Sequence, residues 1–551
     1  MPNGSSHART QEGLAAMKTK PADAKAGRTA WRHLALAFMF GVLALGMGGC
    51  ASLPPPVKAE AFAIPAVPSD QLAQVASSSI SSEGSSSFRP MPFSRVSMDT
   101  RLALAKHATR SLDLQYYLLQ NDYTGRTLLR AVRDAAQRGV RVRILVDDLY
   151  TDSSEALLLN LAATPNVQIK VFNPFPTARA FSATKWGFAI LDFARLNHRM
   201  HNKLFIADGA FAVAGGRNIA DEYFFQSRTG NFIDFDLLVA GNAVSQLQAV
   251  YDTYWNSPRV YPLEVLDHGS EDLEGRRRAF EAATTPGGEF AEPPPAQPDQ
   301  LGFSPFSVDV DSPPLAMLHG EIEAFADDPE KVSGKAEQGG DKSTVTSRVL
   351  DAISRSESEV LLVSPYFVPG EVGMKALQDT RSRGVKVTLI TNTLSANDEP
   401  LASAAYARYR VRMLKMGVDI YEVSSRRLRS NSDVGKVIGA SIGRSHAKIV
   451  VLDGTTTFVG SMNMDLRSSR ENTEMGMFVH SPELAQDVTK VLAGIRSNGT
   501  YHLRLAPGGE DLQWVAVENG SDVVYDSEPE VGLGTRLEIF FLAPFISQSL
   551  L

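Results

Sequence analysis

Hydrophobic positions in the first part of the chain predict a helix, a strand, a second helix and a second strand. Apolar residues fall at helical spacing over 102–112, and 112–117 alternates apolar and polar residues as a half-buried strand does. A second helical stretch, 124–138, ends before Gly139, which suits the left-handed position after a helix. Because 140–146 then has the character of a buried strand, the order is β-α-β, which predicts a parallel or mixed sheet.

The later part of the chain repeats this order. Helical stretches cover 349–356 and 372–383, and strand-like runs cover 360–363 and 385–390. The tripeptide Arg-Gly-Val that ends the second helix recurs 245 residues later, at 383–385. One structural unit is therefore expected to occur twice.

The segment between the repeats, 265–345, is rich in proline, glycine and charge, and it predicts a partly disordered linker. The predicted organisation is a first half at 97–264, this linker, and a second half at 346–551 with a C-terminal extension. The expected fold class is α/β, with two similar halves that each contain a mixed β-sheet flanked by helices.

The N-terminal region has the composition of an export signal. A polar, basic stretch over 1–33 precedes an apolar run over 34–47, which is short of the roughly 20 residues that span a bilayer. The four residues that end at Cys50, Met-Gly-Gly-Cys, resemble a bacterial lipobox with Met in place of the usual Leu. This resemblance implies cleavage before Cys50 and lipidation of its thiol. A plain signal anchor with an incidental cysteine is the alternative.

On this hypothesis residues 1–50 are a signal peptide that ends in the lipobox cysteine. The protein is then a lipid-anchored membrane protein of the bacterial cell envelope that faces the periplasm. The proline- and serine-rich stretch 51–96 is predicted to be a tether, because its composition buries too little apolar surface to fold.

Composition narrows the class of protein. A chain of 551 residues is too long for one ordinary core, and contents of 43% hydrophobic and 21% charged residues are typical of globular domains. A net charge of −7 and a pI of about 5.9 argue against nucleic acid as the main substrate, although net charge does not exclude a local basic cleft. The single cysteine excludes an intramolecular disulfide.

The most informative motif is H-x-K-x4-D-x6-G-x-x-N, which occurs twice at the same offset of 245 residues, within 196–223 and within 441–468. The fixed positions are His201, Lys203, Asp208, Gly215 and Asn218 in the first copy, and His446, Lys448, Asp453, Gly460 and Asn463 in the second. Each copy begins on a strand-like run, where residues i and i+2 share a face, so each His lies beside its Lys. An ordinary buried histidine explains one such position but not five positions repeated at one spacing.

Two His, two Lys and two Asn side chains at one shared site suit the chemistry of a phosphodiester. The lysines and the amides of Asn218 and Asn463 can stabilise charge on the phosphoryl oxygens. One imidazole can attack phosphorus, and the other can protonate the leaving alkoxide and then deprotonate the acceptor. This chemistry needs no metal or other cofactor, and no Cys/His or carboxylate cluster in the sequence suggests a metal site.

Carboxylates are expected to support the histidines. Asp208 and Asp453 are candidate catalytic residues, but each lies a whole strand beyond its His and precedes a Gly, so stabilisation of a turn is an equal alternative. An imidazole also needs a carboxylate that fixes its tautomer. Asp234 and Glu474, the next acidic residues before apolar strands, are predicted to fill this role, with a surface carboxylate at a strand start as the alternative.

These residues resemble the phospholipase D superfamily, which is defined by a duplicated His-Lys-Asp motif. The resemblance covers about 97–505 and implies two halves packed about a pseudo-two-fold axis with one shared active site. It also implies a hydroxyl donor to phosphate at Ser461, whereas the first copy has Gly216 at the matching position. Five flanking stretches are similar to the bacterial cardiolipin synthase branch, closest to its lipoprotein-like C-type members: 112–117, 197–203, 215–223, 364–370 and 472–476.

This branch implies a phosphatidyltransferase that moves a phosphatidyl group to phosphatidylglycerol through a phosphohistidine, with His201 as the nucleophile. The implied partners are phospholipids (phosphatidylglycerol, with phosphatidylethanolamine as a further candidate) and the membrane surface. The alternatives are a phospholipase D-type hydrolase, which shares the chemistry up to the phosphohistidine, and a nuclease, which the acidic pI and the lipid anchor disfavour. A scaffold with a dead site is disfavoured by two complete motifs.

Overall fold

A computed structural model describes residues 60–81, 85–175, 193–266, 272–287, 297–333, 343–430, 441–518, 520–532 and 534. The predicted signal peptide, Cys50 and the start of the predicted tether lie outside these residues. Within the described ranges, no helix combines the length and the apolar character needed to cross a bilayer.

The first half contains one mixed sheet. Its strands, together with the separate strand β7, are β1 (Ser86–Met91), β2 (Ser111–Tyr116), β3 (Arg141–Asp147), β4 (Val167–Phe172), β5 (Lys203–Ala207), β6 (Phe211–Gly215), β7 (Gly230–Ile233), β8 (Asp236–Gly241) and β9 (Val260–Pro262). The order across the sheet is β1-β8-β6-β5-β2-β3-β4-β9. Strands β2, β3 and β4 are parallel, and the other neighbours are antiparallel.

The second half repeats this order and extends it by two strands. Its strands are β10 (Leu318–Ala326), β11 (Glu359–Val363), β12 (Lys386–Asn392), β13 (Asp419–Val423), β14 (Ile442–Ser445), β15 (Ile449–Leu452), β16 (Thr456–Gly460), β17 (Met475–His480), β18 (Thr500–Leu505), β19 (Leu512–Glu518) and β20 (Ser521–Tyr525). The order is β10-β17-β16-β15-β11-β12-β13-β18-β19-β20. Strands β1 and β10 pair antiparallel, so one sheet of 18 strands runs through both halves of the described chain.

Helices lie between the strands. In the first half and the connecting region they are α1 (Gln71–Ser78), α2 (Ser94–His107), α3 (Tyr123–Gln137), α4 (Glu155–Ala162), α5 (Phe193–Leu196), α6 (Asn242–Trp255), α7 (Leu263–Leu266), α8 (Leu273–Thr284) and α9 (Phe306–Asp309). In the second half they are α10 (Val345–Arg355), α11 (Gly370–Ser382), α12 (Pro400–Lys415), α13 (Ser425–Ser430), α14 (Leu466–Arg470) and α15 (Pro482–Gly499). Helix α2 packs against α3, and α10 packs against α11, so the repeat extends to helix packing.

The predicted α/β fold with two similar halves is confirmed, and so are the local elements that the repeat indicated. Gly139 and Gly384 follow their helices at φ of 99° and 86°, the left-handed conformation that closes a helix without steric cost when there is no Cβ. Asp208 and Asp453 also have positive φ, 51° and 52°, and each begins the Asp-Gly turn that the sequence predicted.

The predicted tether and linker are partly wrong. Residues 60–81 and 85–96 of the tether contain α1, β1 and the start of α2, and residues 265–345 contain α8 and β10. Serine-rich composition hid the start of β1, which is an inner strand because its backbone pairs with β8 on one side and β10 on the other. Ser87, for example, is buried, and its hydroxyl lies 2.8 Å from Nδ1 of His319 on β10.

Two short strand contacts cross from one half to the other. Strand β7 pairs in parallel with β14, so Ile233 lies beside Ser445. At the matching place in the other half, Met200 forms a parallel bridge with Thr473. Since these contacts lie immediately before His446 and His201, they determine what each histidine faces.

Candidate active site

Both motif histidines lie on one cavity of about 880 Å³ whose wall is built from both halves. His201 lies two residues before the strand β5, and His446 directly follows β14. Both imidazoles are buried, and the rings of His201 and His446 line the same space. The structure thus brings the two copies of the motif together at one shared site.

Each imidazole is paired with a carboxylate from the opposite half. Nδ1 of His201 lies 2.9 Å from Oε2 of Glu474, and Nδ1 of His446 lies 2.7 Å from Oδ2 of Asp234. The strand contacts between the halves bring each carboxylate to the histidine of the other half. The backbone N–H of His446, for example, donates to the carbonyl of Ile233, the residue before Asp234, at 2.7 Å. Because each Nδ1 faces a carboxylate, Nε2 is the nitrogen left for chemistry in the cavity.

The two lysines lie next to their histidines, as their i+2 spacing requires. The amine of Lys203 donates to the backbone carbonyl of His201, and that of Lys448 donates to the carbonyl of His446 at 2.6 Å. Nζ of Lys448 is also 3.1 Å from Nε2 of His446. Burial lowers the pKa of Lys448 to about 8 and the pKa of Lys203 well below its usual value.

Burial also lowers the pKa of both histidines. The pKa of His201 falls to about 4, and that of His446 falls well below its usual value, where the charge of Lys448 adds to the effect of burial. Burial thus favours the neutral form of both imidazoles in the free site. A bound anion opposes the lysine charges and raises the histidine pKa values, so substrate binding itself favours the protonated acid that the chemistry needs.

The two motif asparagines differ in their contacts. Both Asn218 and Asn463 line the cavity. The side-chain oxygen of Asn218 accepts from the N–H of Leu118 at 3.3 Å, and its amide donates to the hydroxyl of Tyr223 at 2.9 Å. Oδ1 of Asn463 is buried without a hydrogen-bond partner in the part of the chain that the structure describes. This oxygen can only accept a hydrogen bond, whereas the Nδ2 group of Asn463, which donates to no group in the described residues, is the part that can donate to an anion.

Ser461 does not reach the cavity. Its hydroxyl donates to Oε2 of Glu474 and accepts the N–H of Met475 at 3.0 Å, and the residue is fully buried. The expectation that Ser461 binds phosphate is therefore wrong. The hydroxyl is already used to hold the carboxylate behind His201.

Asp208 and Asp453 are not brought to the histidines, so their candidate catalytic role is wrong. Each lies beyond the far end of the strand that follows its His, and each accepts backbone N–H groups at the start of a neighbouring strand. Asp208 accepts from residues 109–111 at 2.8 to 2.9 Å, and Asp453 accepts from 357–359 at 2.7 to 3.1 Å. Both residues stabilise a turn, the alternative that their position before Gly allowed.

Aromatic side chains surround the imidazoles, and the motif did not point to them. The ring of Tyr117 meets His201 edge-on at 5.0 Å. Tyr223 and Phe232 each lie 5.0 Å from the ring of His446, and the hydroxyl of Tyr223 is 3.4 Å from its Nε2. Tyr117 and Tyr223 fall in stretches that the sequence comparison had singled out, but their contact with the histidines depends on the fold.

The family follows from the matched segments. A family model described as "Cardiolipin synthase, PLD-like domain" matches residues 102–255 and 349–496, one segment in each half. The chain belongs to this family of phospholipase D-like proteins. It is thus an enzyme of the phospholipase D superfamily, and each matched segment lies within one half of the structure.

Other members of the superfamily align over most of the chain. Cardiolipin synthase C of Escherichia coli K12 is 33% identical over 464 residues, which cover 82% of this phospholipase D-like chain and 93% of the relative. Cardiolipin synthase 1 of Staphylococcus aureus MRSA252 is 27% identical over 387 residues, 70% of this chain and 62% of the relative. A phosphatidylserine synthase of Haemophilus influenzae Rd KW20 superposes with a TM-score of 0.53 at 14% identity, covering 84% and 94% of the two chains, and shows a shared fold.

Proposed function

We propose that this enzyme is a phosphatidyltransferase of the cardiolipin synthase type, which moves a phosphatidyl group to phosphatidylglycerol through a phosphohistidine. The observation that carries the proposal is the pair of imidazoles on one cavity, each with its Nδ1 on a carboxylate from the opposite half. The 33% identity with a cardiolipin synthase over nearly the whole length of that relative supports the substrate class.

The reaction divides into two displacements at phosphorus. Nε2 of His201 attacks the phosphodiester of the donor lipid, the bond from phosphorus to the headgroup oxygen breaks, and His446 gives its Nε2 proton to that oxygen. His446 then takes the proton of the acceptor hydroxyl, whose oxygen attacks phosphorus and releases His201. Lys203, Lys448 and Asn463 stabilise the charge on the phosphoryl oxygens in both steps.

The carboxylates support His201 as the nucleophile. The nucleophilic imidazole becomes cationic when Nε2 bonds to phosphorus, so it gains most from an ionised carboxylate at Nδ1. The Glu474 pKa is lowered despite its burial, because His201 and the hydroxyl of Ser461 favour its anion. Burial instead raises the pKa of Asp234 to about 6, so His446 is held less firmly as a cation and releases its proton more readily.

Hydrolysis by a phospholipase D-type reaction is the alternative function, with water in place of the lipid alcohol. Mass spectrometry of lipids after incubation of the purified enzyme with phosphatidylglycerol, with and without phosphatidylethanolamine, separates the two functions. A four-chain lipid supports the transferase. Phosphatidic acid as the only product would establish the hydrolase and overturn the proposal.

We further propose that the enzyme is lipidated at Cys50 and anchored to a membrane of the cell envelope. The apolar run that ends at the single cysteine of the chain supports this proposal. Cys50→Ser is expected to accumulate as the unlipidated precursor. An acyl-free N-terminus on the mature wild-type protein, detected by mass spectrometry, would overturn it.

A further inference from the structure

Arg444 lines the active-site cavity two residues before His446. It lies on β14, where alternate residues share a face and are about 7 Å apart. Its guanidinium carbon is 5.9 Å from the centre of the Phe232 ring. A Cβ at Gly230 would lie 3.3 Å from Nη1 of Arg444, so the guanidinium lies close to the Gly230 backbone. The guanidinium therefore lies near Phe232, the ring that is itself 5.0 Å from the ring of His446.

The matching arginine of the first half is neutralised inside the protein. Arg199, also two residues before its histidine, is fully buried and forms an ion pair with Asp147 at 3.3 Å. It also donates to the backbone carbonyls of Leu196 at 2.8 Å and Asn173 at 3.1 Å. In the first half, this position is structural.

The second half lacks the neutralising carboxylate. The residue that matches Asp147 is Asn392, and its amide is used by Ser445: it donates to the carbonyl at 2.8 Å and accepts the N–H at 2.9 Å. Among the described residues Arg444 forms no ion pair, and its Nε is buried without a hydrogen-bond partner. Both halves thus have the arginine. The first half also has the carboxylate that neutralises it, whereas the second half, where the arginine lines the cavity, has an asparagine at the matching position.

We propose that Arg444 is a second anion subsite, which binds the phosphodiester of a phospholipid acceptor. This inference rests on the proposed phosphatidyltransferase function. In phosphatidylglycerol the attacking hydroxyl is separated from the phosphate by the three carbons of glycerol, so an acceptor whose hydroxyl meets His446 carries a second anion nearby. The guanidinium fork matches two phosphate oxygens.

Carboxylates on the cavity wall would repel an acceptor phosphate, and a cation among them offsets this repulsion. Glu222, Asp398 and Glu399 also line the cavity, and Asp398 accepts the hydroxyl of Tyr366 at 2.9 Å. In the proposed mechanism the motif lysines stabilise the scissile phosphate, and the guanidinium of Arg467, also on the wall, already donates to Asn197. Arg444 offsets the carboxylates on the side of His446.

The test is a competition between two acceptors in one assay. Phosphatidylglycerol micelles containing ethanol give a four-chain lipid when the acceptor is a phospholipid and phosphatidylethanol when it is the small alcohol. The wild type is expected to form both. Arg444→Gln is expected to lower the ratio of four-chain lipid to phosphatidylethanol about tenfold or more, and Arg444→Lys, which retains charge but not the fork, is expected to give an intermediate ratio.

Arg467→Gln is the matched control. Arg467 also lines the cavity, but its guanidinium donates to the side chain of Asn197 at 2.8 Å and to the Asn197 carbonyl at 3.1 Å. Its loss is expected to leave the product ratio unchanged. Thermal unfolding of each variant establishes that it is folded.

Two results would overturn the inference, and only the second would also overturn the proposed function. If Arg444→Gln lowers both products by one factor, Arg444 does not distinguish the phospholipid acceptor, while the transferase function stands. If the wild type forms phosphatidylethanol or phosphatidic acid but no four-chain lipid, the proposed function fails and the acceptor subsite fails with it.

Discussion

The two imidazole–carboxylate pairs occupy matching places but are built differently. The pair that holds His446 uses Asp234 and has Gly216 behind it, whereas the pair that holds His201 uses Glu474 and has Ser461 behind it. A Cβ at Gly216 would lie 2.1 Å from Oδ1 of Asp234, so the shorter carboxylate fits only against a bare backbone.

Ser461 and Ser468 both donate to Glu474, the latter at 2.8 Å. Asp234 accepts at Oδ1 from the N–H of Phe235 at 2.8 Å. The hydroxyl donors favour the anion of Glu474, whereas burial dominates at Asp234. One repeated scaffold thus gives its two histidines carboxylates of different basicity, as a nucleophile and an acid require.

The most severe test of this difference is removal of each histidine. His446→Ala is expected to lower turnover by about 10²- to 10⁴-fold through loss of the acid, and His201→Ala is expected to abolish the covalent route. Without its base, His446→Ala should accumulate a phosphatidyl group on His201, which mass spectrometry of the enzyme can locate. A phosphatidyl group on His446 of the His201→Ala variant would reverse the assignment of roles.

Substitution of the carboxylates should give smaller losses with different pH dependence. Asp234→Asn and Glu474→Gln are each expected to lower activity about 10- to 100-fold. In the wild type, kcat/KM should fall as pH decreases through about 6, where Asp234 is protonated, and fall again as pH increases through about 8, where Lys448 loses its charge.

The limb near pH 6 is the discriminating part of that profile. It should vanish in Asp234→Asn, because the group that titrates there is gone, and persist in Glu474→Gln. If kcat/KM of Asp234→Asn still falls as pH decreases through about 6, then a group other than Asp234 titrates there.

Substitution of Gly216 or Ser461, the small residues behind the two carboxylates, should lower kcat moderately. Gly216→Ser is expected to displace Asp234 and lower kcat about tenfold, while Ser461→Gly removes one hydrogen bond without a clash and should lower it less. The double variant Gly216→Ser with Asp234→Glu copies the second pair and should recover part of the activity in a steady-state assay. No recovery would mean that side-chain size does not explain the Gly–Asp combination.

The motif aspartates should affect stability rather than chemistry. Asp208→Asn is expected to lower the free energy of unfolding by about 2–3 kcal/mol because its site is buried. Asp453→Asn, on a half-exposed turn, should cost about 1 kcal/mol or less. Urea unfolding measures both values, and folded variants should retain kcat. A large loss of kcat in a stable Asp208→Asn protein would restore a catalytic role for the residue.

The sequence by itself determined the features that depend on spacing along the chain. The i+2 spacing places Lys203 beside His201 because strand geometry leaves no other arrangement, and the Asp-Gly pairs predict their turns from local backbone preference. The repeat predicted two similar halves because the same order of elements occurs twice.

Only the tertiary structure decided which distant groups meet. Asp234 and Glu474 could be selected as carboxylates before strands, but their exchange between the halves depends on the pairing of β7 with β14 and of Met200 with Thr473. Ser461 became a support for Glu474, and β1 became an inner strand, because their partners lie far away in the sequence. Such contacts are set by strand pairing and burial, which local composition does not encode.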